Sequence, residues 1–272
     1  MKPAAFDYVR ADSTDEVLHL LGEYGEDARI LAGGQSLMAT LNMRLAQPRV
    51  LIDISRVEQL ASMRVDRKWM TMGAAVTQNA VEMVVRDEST VPLLAQAFPH
   101  LGHFQTRNRG TVCGSIAHAD PSAELPLCLA TLGGTIELRS HRRRRSLTPD
   151  EFFQGVLTTA RQPDELIESV KFPLATENTR YGFVEVSMRH GDFALVALAA
   201  AVSEEQVKFG VGGVADRPWV ETLDTPSPDD MTAMLEDLVW KLDAQDDQHA
   251  SARYRRHLVR TLGAKLLARL SD

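Results

Sequence analysis

The residues best suited to chemistry lie in one stretch, residues 106–126. Small residues alternate there with ionisable ones: Gly110, Thr111, Gly114, Ser115, Ala117 and Ala119 lie between Arg107, Arg109, His118, Asp120 and Glu124. Small side chains leave backbone N–H and C=O groups open to a ligand, and the ionisable neighbours add polar contacts. We predict that this stretch is neither helix nor strand and that it wraps a polar group.

A second loop of small residues occurs earlier in the chain. Residues 29–31 predict a short strand, which runs into Gly33, Gly34 and Ser36, and a predicted helix follows from Leu37. A glycine turn between a strand and a helix presents backbone N–H groups that bind anions, although such a turn alone is more often an ordinary connection. Two such loops, residues 33–36 and 111–115, together indicate two backbone cradles for an extended polyanion such as a diphosphate. The sequence therefore predicts a large nucleotide cofactor.

Other patterns that could do chemistry do not form a site. His118 and Asp120 have no further His or Cys close in sequence, which leaves too few ligands for a metal. The Gly-x-Ser-x-Gly elbow of hydrolases is absent. A Gly-x-Gly-x-x-Ala spacing begins at Gly210, but Pro218 prevents the helix that a dinucleotide motif needs, so we interpret it as a turn in a sheet. The residues predict neither a catalytic group nor a bound metal.

The composition narrows the class of protein. The chain has 272 residues, of which 44% are hydrophobic and 25% charged, as is typical of a globular protein with a full core. A net charge of −7 argues against nucleic-acid binding, and no apolar run has the length of a membrane span or a signal peptide. The two cysteines, Cys113 and Cys128, are too few for an iron–sulfur cluster. We expect a cytoplasmic protein without integral membrane contact.

Apolar periodicity and turn residues predict the elements. We expect helices over residues 14–24, 37–45, 78–86, 91–101, 125–132, 229–242 and 249–270, and strands over 29–31, 50–54, 68–74, 135–139, 166–172, 181–189, 194–202 and 207–211. Four consecutive arginines at 142–145 are interpreted as a solvated hairpin tip. A polar segment at 173–179 reads as a linker, which divides the chain into domains 1–177 and 178–272.

Four motifs follow one another along the chain. They are Ala32-Gly33-Gly34-Gln35-Ser36-Leu37, residues 50–55, residues 106–126, and Arg189-His190-Gly191-Asp192-Phe193-Ala194. In this order they resemble the FAD-binding medium subunits of the molybdenum hydroxylases, the carbon monoxide dehydrogenase and xanthine dehydrogenase family. The resemblance implies an α+β fold: a PCMH-type FAD-binding domain with subdomains of about 1–56 and 57–177, then a smaller C-terminal domain with a three-stranded antiparallel sheet and helices.

The resemblance also implies an oxidoreductase subunit. In this family the FAD-binding chain takes electrons from a small [2Fe–2S] subunit, which is supplied by a large molybdopterin subunit, and passes them to an external acceptor. We therefore expect FAD on this chain, molybdopterin and the clusters on partner subunits, and a heterotrimer or a dimer of heterotrimers. Two alternatives stay open: a self-standing FAD oxidoreductase of the same fold, and an assembly or binding protein that has lost FAD.

Cofactor contacts follow from the same resemblance. The two diphosphate loops and their flanks are Leu31, Ala32, Gly33, Gly34, Gln35, Ser36 and Leu37, and Thr111, Val112, Cys113, Gly114 and Ser115; the other contacts are Leu101, Gly102, His103, Asp120, Glu124, Ile167 and Phe183. Cys113 replaces a glycine of the family, so its side chain must point away from the diphosphate or crowd it. Glu185 lies near a lysine of some family members and receives no role.

Overall fold

The computed structural model describes residues 2–227 and 230–271. Its strands are β1 (Asp7–Arg10), β2 (Ala28–Leu31), β3 (Val50–Asp53), β4 (Met63–Val65), β5 (Trp69–Gly73), β6 (Thr135–Arg139), β7 (Arg144–Leu147), β8 (Phe153–Gly155), β9 (Thr158–Thr159), β10 (Leu166–Pro173), β11 (Arg180–Ser187), β12 (Ala194–Val202), β13 (Gln206–Gly212) and β14 (Trp219–Asp224). Its helices are α1 (Thr14–Tyr24), α2 (Leu37–Asn42), α3 (Gln78–Val85), α4 (Pro92–Ala97), α5 (Phe104–Arg107), α6 (Val112–His118), α7 (Glu124–Leu132), α8 (Pro149–Phe152), α9 (Met231–Lys241) and α10 (Ala252–Ser271). The predicted helix start at residue 229 lies outside the described residues, as do the predicted domain ends at residues 1 and 272.

The first sheet has the strand order β1-β3-β2, and its strands are parallel. The helix α1 begins where Ser13 Oγ accepts a hydrogen bond from Glu16 N, and it ends at Gly25, whose φ is 52°. The apolar face of α1 packs into the core with β3, whose four residues are all buried. Since β2 ends at Leu31, the first glycine loop emerges at the carboxyl edge of this sheet.

The second sheet has the order β4-β5-β10-β6-β7 and is antiparallel. The predicted solvated arginine tip is wrong in part, because Arg144 and Arg145 lie in β7. Arg145 Nη2 lies 2.7 Å from Glu165 Oε2, and Arg144 Nη2 lies 3.4 Å from Glu168 Oε1. Glu165 lies 20 positions after Arg145, and Glu168 lies 24 positions after Arg144. Charge patterning within a few residues therefore could not identify these pairs.

The third sheet has the order β11-β12-β13-β14 and is antiparallel. It has four strands where three were expected, because β14, a partly exposed strand with polar residues after Pro218, does not have an apolar run. All nine residues of β12 are buried, since α7 packs on one face of the sheet and α10 on the other. The α+β class is confirmed, and the correction concerns one edge strand.

The stretch 106–126 is more regular than we expected. Most of it is helical: α5 ends at Arg107, α6 covers Val112–His118, and α7 begins at Glu124. Thr111 starts α6 by accepting a hydrogen bond from Gly114 N, and the buried Val112 and Ile116 fix its inner face. Tertiary packing therefore makes a helix of residues whose individual helix propensity is weak.

The sheets fall in consecutive parts of the chain. The first uses residues 7–53, the second 63–173 and the third 180–224. The first hydrophobic core includes Phe183, Ala197 and Ala199 of the third sheet, whereas the alternating Val196 and Leu198 belong to a second core with α9 and α10. The domain boundaries near residues 56 and 177 stay predictions, and the third sheet contributes residues of β11 and β12 to the first core.

Candidate functional site

The two glycine loops touch each other at Gly33. A methyl group added at Gly33 would overlap the carbonyl oxygen of Arg109 and lie 2.6 Å from Gly110 Cα. Only a residue without a side chain permits this approach of two backbones. The next residue, Gly34, has a φ of 71°, which L-residues with a side chain rarely adopt. The loop predicted at residues 33–36 therefore lies against Arg109 and Gly110, directly before the loop predicted at residues 111–115.

Helix α3 positions the second loop. Gln78 N donates to Gly110 O at 2.8 Å, and Val112 N donates to Val76 O at 3.3 Å. On the other side Thr111 Oγ1 accepts from Gly114 N at 3.0 Å. The buried Gln78 Oε1 has no hydrogen-bond partner within the described residues and lies against Gly110, 2.8 Å from where a Cβ would be. Sequence patterns gave no sign of Gln78, because its role depends on a contact 32 positions away.

Backbone donors remain free where the loops meet. Within the described residues, the N–H groups of Gly33, Gly34, Gln35 and Ser36 donate no hydrogen bond, and neither does that of Cys113. The Gln35 side chain instead folds back, and its Nε2 donates to Gly33 O at 3.0 Å. Open N–H donors on two touching backbones, with no carboxylate among the residues that carry them, suit a diphosphate. The residues present thus fit the polyanionic part of FAD.

Cys113 does not crowd this surface. Its thiol is buried, and Sγ lies 3.6 Å from Met72 O on β5, at the inner side of α6. Burial raises the pKa of the Cys113 thiol to about 12, so the group stays neutral. Of the two orientations that the sequence left open, the structure has the one that points away from the loops.

A second contact region joins residues 101–103 to the fourth motif. A methyl group at Gly191 would lie 2.9 Å from His103 Cε1 and 3.0 Å from Gly102 O. The rings of His103 and His190 have centroids 6.1 Å apart. Burial, followed by the charge of His190, lowers the pKa of His100. The structure therefore brings the predicted Gly102 and His103 together with the hairpin between β11 and β12, and the adjacent Leu101 belongs to the first hydrophobic core.

Phe183 is held in the same region. Its ring centroid lies 5.4 Å from that of His100, and its N–H donates to Gln96 Oε1 at 3.0 Å. Gln96 also donates to Tyr181 O at 3.2 Å, so one amide links α4 to two positions of β11. Gln96 was missed by sequence reasoning, since nothing in the pattern of α4 distinguishes it from a surface glutamine.

The remaining predicted residues have different environments. Asp120 Oδ1 accepts from Ser122 N at 2.9 Å and shapes the turn before α7. Glu124 is only 7% exposed, and burial, followed by the charge of Asp120, raises its pKa to about 7. Ile167 on β10 is buried in the first hydrophobic core. Its partner across the sheet is Leu138 of β6.

The described residues contain neither a membrane-spanning helix nor a cluster of metal ligands. Within residues 2–227 and 230–271, no helix combines the length and the apolar character needed to cross a bilayer. The same part of the chain contains no group of three or more His, Cys, Asp or Glu side chains arranged to hold a metal ion.

Known proteins share both the sequence pattern and the fold. Residues 4–175 match the family model described as the FAD binding domain in molybdopterin dehydrogenase. The chain is 33% identical to caffeine dehydrogenase subunit beta of Pseudomonas sp. (strain CBB1), over 100% of this chain and 97% of that one. It is 36% identical to subunit alpha of the 6-hydroxypseudooxynicotine dehydrogenase complex of Paenarthrobacter nicotinovorans, over 99% of this chain and 95% of that one.

The solved structures agree with the sequence relatives. Quinoline 2-oxidoreductase from Pseudomonas putida 86 contains a chain that is 30% identical, with a TM-score of 0.91 over 100% of this chain and 98% of that one. A carbon monoxide dehydrogenase chain from Hydrogenophaga pseudoflava gives a TM-score of 0.90 at 25% identity, over 100% of this chain and 99% of that one. The FAD-binding domain expected from the four motifs is confirmed, and this chain belongs to the family of FAD-binding medium subunits of the molybdenum hydroxylases.

Proposed function

We propose that this chain is the electron-transfer subunit of a molybdenum hydroxylase complex. It takes electrons from a [2Fe–2S] subunit and delivers them to an external acceptor through FAD. The observation that carries the proposal is the contact of Gly33 with Arg109 and Gly110, which presents free N–H donors from two loops to one ligand. FAD supplies the redox chemistry when it is bound, and the chain's own residues bind and orient it.

The two loops act as one clamp in this proposal. The N–H groups of residues 33–36 hold one end of the diphosphate, and the free N–H group of Cys113, in the loop of residues 111–115, holds the other. Leu31 and Leu37 flank the first loop and are both half-buried. Leu101, Gly102, His103 and Phe183 then line the cofactor along the junction with the β11–β12 hairpin, where ring and backbone contacts keep them in place. Asp120, Glu124 and Ile167 complete the proposed set.

The partners are proposed from chemistry that this chain lacks. Its two cysteines, both free and buried, cannot ligate a cluster together with nearby side chains in the described part of the chain. Relatives are named as one subunit of a dehydrogenase, such as the medium chain of glyceraldehyde dehydrogenase of Sulfolobus acidocaldarius. We therefore assign the [2Fe–2S] clusters to a small subunit and molybdopterin to a large one, in a heterotrimer or a dimer of heterotrimers.

The first experiment measures FAD binding by the purified full chain. Titration with FAD, followed by quenching of flavin fluorescence, is expected to saturate at one FAD per chain. The second experiment purifies the chain from its natural source under native conditions. We expect a cysteine-rich small chain and a molybdopterin chain to co-purify, and the flavin to be reduced in that assembly and not in the lone chain. A lone chain that turns over a substrate with FAD would favour a self-standing oxidoreductase, and failure to bind FAD would contradict both.

A further inference from the structure

A groove lies between the end of α9 and the first half of α10. Its volume is about 650 Å³, and its aromatic and basic lining is formed by Trp240, Arg253, Tyr254, Arg256, His257 and Arg260. In the part of the chain that the structure describes, no Asp, Glu or Lys lines this aromatic–basic groove. Protein interfaces are enriched in Trp, Tyr and Arg and depleted in Lys, Glu and Asp. The composition of the groove is therefore typical of a protein interface.

The two aromatic side chains of the groove are uncovered. Trp240 is 72% exposed, and Tyr254 is 45% exposed. The apolar side of α9 packs into the second core through Leu235 and Leu238, which leaves Trp240 outside that core. The guanidinium carbon of Arg256 lies 5.6 Å from the centroid of the Trp240 ring, where it restrains the indole. An exposed and restrained indole is the kind of side chain that supplies much of the binding energy of an interface.

The basic residues of the groove form one stripe on α10. They occupy the positions i, i+3, i+4 and i+7 of one helix side, which are Arg253, Arg256, His257 and Arg260. Arg256 donates from Nε to Val239 O at 3.2 Å and from Nη2 to Leu242 O at 3.3 Å, and these carbonyls carry no net charge. Among the described residues, only Arg260 of the stripe has a carboxylate partner, Glu236 Oε1 at 2.6 Å. The stripe thus keeps positive charge that the chain itself does not neutralise.

The position of this stripe does not stabilise the helix. Helix α10 begins at Ala252, so Arg253 lies in its first turn, where the helix dipole disfavours a positive charge. Arg255 differs, because it is buried and donates to Leu195 O at 2.7 Å and to Asp247 Oδ2 at 2.5 Å. Arg255 therefore holds α10 on the third sheet, whereas Arg253 remains available to an anionic group outside the chain.

We propose that the aromatic–basic groove binds an acidic segment of a partner subunit, whose carboxylates lie beside Arg253 and Arg256 and whose apolar side chain lies on Trp240. The choice of a subunit as the partner rests on the proposed function. An acidic protein segment fits better than a nucleic acid, because the chain as a whole carries a net charge of −7 and repels a long polyanion. Helix α10 packs on the face of the third sheet opposite to α7, so the partner is held away from the glycine loops.

The first experiment identifies the occupant of the groove. The photo-cross-linking amino acid p-benzoylphenylalanine replaces Trp240 in the full chain, which is expressed in its natural source and purified in its native assembly. We expect a cross-link to a partner subunit, in a peptide that is rich in Asp and Glu, as mass spectrometry would show. The same probe in place of Lys265, an exposed residue of α10 outside the groove, is the matched control and is expected to give no such cross-link.

The second experiment measures the affinity of the full chain for the separated partner subunits. Trp240→Ala is expected to weaken binding about 30-fold, as the loss of a central interface tryptophan commonly does. Arg253→Glu is expected to weaken binding about tenfold and to reduce its dependence on salt. Lys265→Glu changes the net charge by the same amount on the same helix and is expected to bind as wild type does.

A structural effect of these substitutions is checked separately. All three variants are expected to keep the FAD affinity of wild type. Arg253→Glu is also expected to be no less stable in urea than wild type, because a negative charge is favourable in the first turn of a helix. Weaker binding of the partner subunits at unchanged stability therefore reports on the groove.

A cross-link to a second copy of this chain, to nucleic acid or to a segment without carboxylates would overturn the proposal, and so would the absence of any cross-link from position 240. Unchanged affinity in both Trp240→Ala and Arg253→Glu would also overturn it. Failure of the proposed function gives a different result, in which FAD titration shows no binding while the cross-link to an acidic segment still forms.

Discussion

Replacing Gly33 by alanine perturbs the one contact on which the clamp depends. The added methyl group meets the Arg109 carbonyl oxygen and Gly110 Cα, which are both backbone atoms. A side chain could rotate out of the way, but backbone cannot, so relief requires the two loops to separate. Extra methyl groups in a packed site cost about 1–3 kcal/mol, and we expect a loss of stability in this range.

Gly33→Ala is also expected to weaken FAD binding. Separation of the loops changes where the free N–H groups of residues 33–36 point relative to that of Cys113. Loss of one hydrogen bond to a charged group costs about 1.5–3 kcal/mol, so FAD affinity is expected to fall about 10- to 100-fold. A lower free energy of unfolding does not by itself reduce FAD affinity as long as the chain remains folded.

Gly22 offers the matched control. It lies exposed within α1, and a methyl group there would have no neighbour within 4 Å. Gly22→Ala is expected to raise the free energy of unfolding by about 0.5–1 kcal/mol through helix propensity and to leave FAD affinity unchanged. Both variants are to be measured by urea unfolding and by FAD titration of the full chain. The reasoning is refuted if Gly33→Ala binds FAD as tightly as wild type with unchanged stability.

Three further predictions follow from buried groups. Cys113→Gly removes a buried thiol from a helix and is expected to cost about 1–3 kcal/mol of stability without tightening FAD binding, as urea unfolding and FAD titration can check. The pKa of the Glu165 carboxyl is lowered: burial alone would raise this pKa, but hydrogen bonds and the positive charge of Arg145 have the larger combined effect. Arg145→Met is expected to cost about 3 kcal/mol near pH 7, and less as falling pH protonates Glu165, in unfolding measured against pH. Finally, both thiols are expected to react with iodoacetamide at pH 8 only once the chain is unfolded, as mass spectrometry of timed samples would detect.

The sequence predicted those elements whose formation depends mainly on their own residues. The helix α1 has a visible cap at Ser13 and an apolar face, and the glycine loops are conspicuous because small residues are unusual next to charges. The contact of Gly33 with Gly110 could not be found in this way, because the two residues are 77 positions apart and meet only in the folded chain. The environment of Glu185 could not be predicted for the same reason, because its carboxyl oxygens become buried only in the folded chain.

The Gly-x-Gly-x-x-Ala spacing that begins at Gly210 is explained by the packing of the strand β13. We had interpreted these residues as a turn, but Gly210 and Gly212 lie in the strand itself. A methyl group at Gly210 would overlap Thr131 Oγ1 of α7, and one at Gly212 would lie 3.2 Å from Leu127 Cδ2. These glycines let α7 lie close against the third sheet.

The packing of α7 against the third sheet also supports the clamp formed by the two glycine loops. Helix α7 contacts α6, which carries the second loop, on one side and β12 and β13 on the other. The loop between α6 and α7 is in turn bonded to Gly213 through Pro121 O. The third sheet is therefore part of the support of the glycine clamp, and the first 177 residues alone would leave the apolar face of α7 without its cover. A helix that is apolar on all sides is stable only when it is covered on all sides. The site is therefore stabilised by contacts from both predicted domains and not by the first one alone.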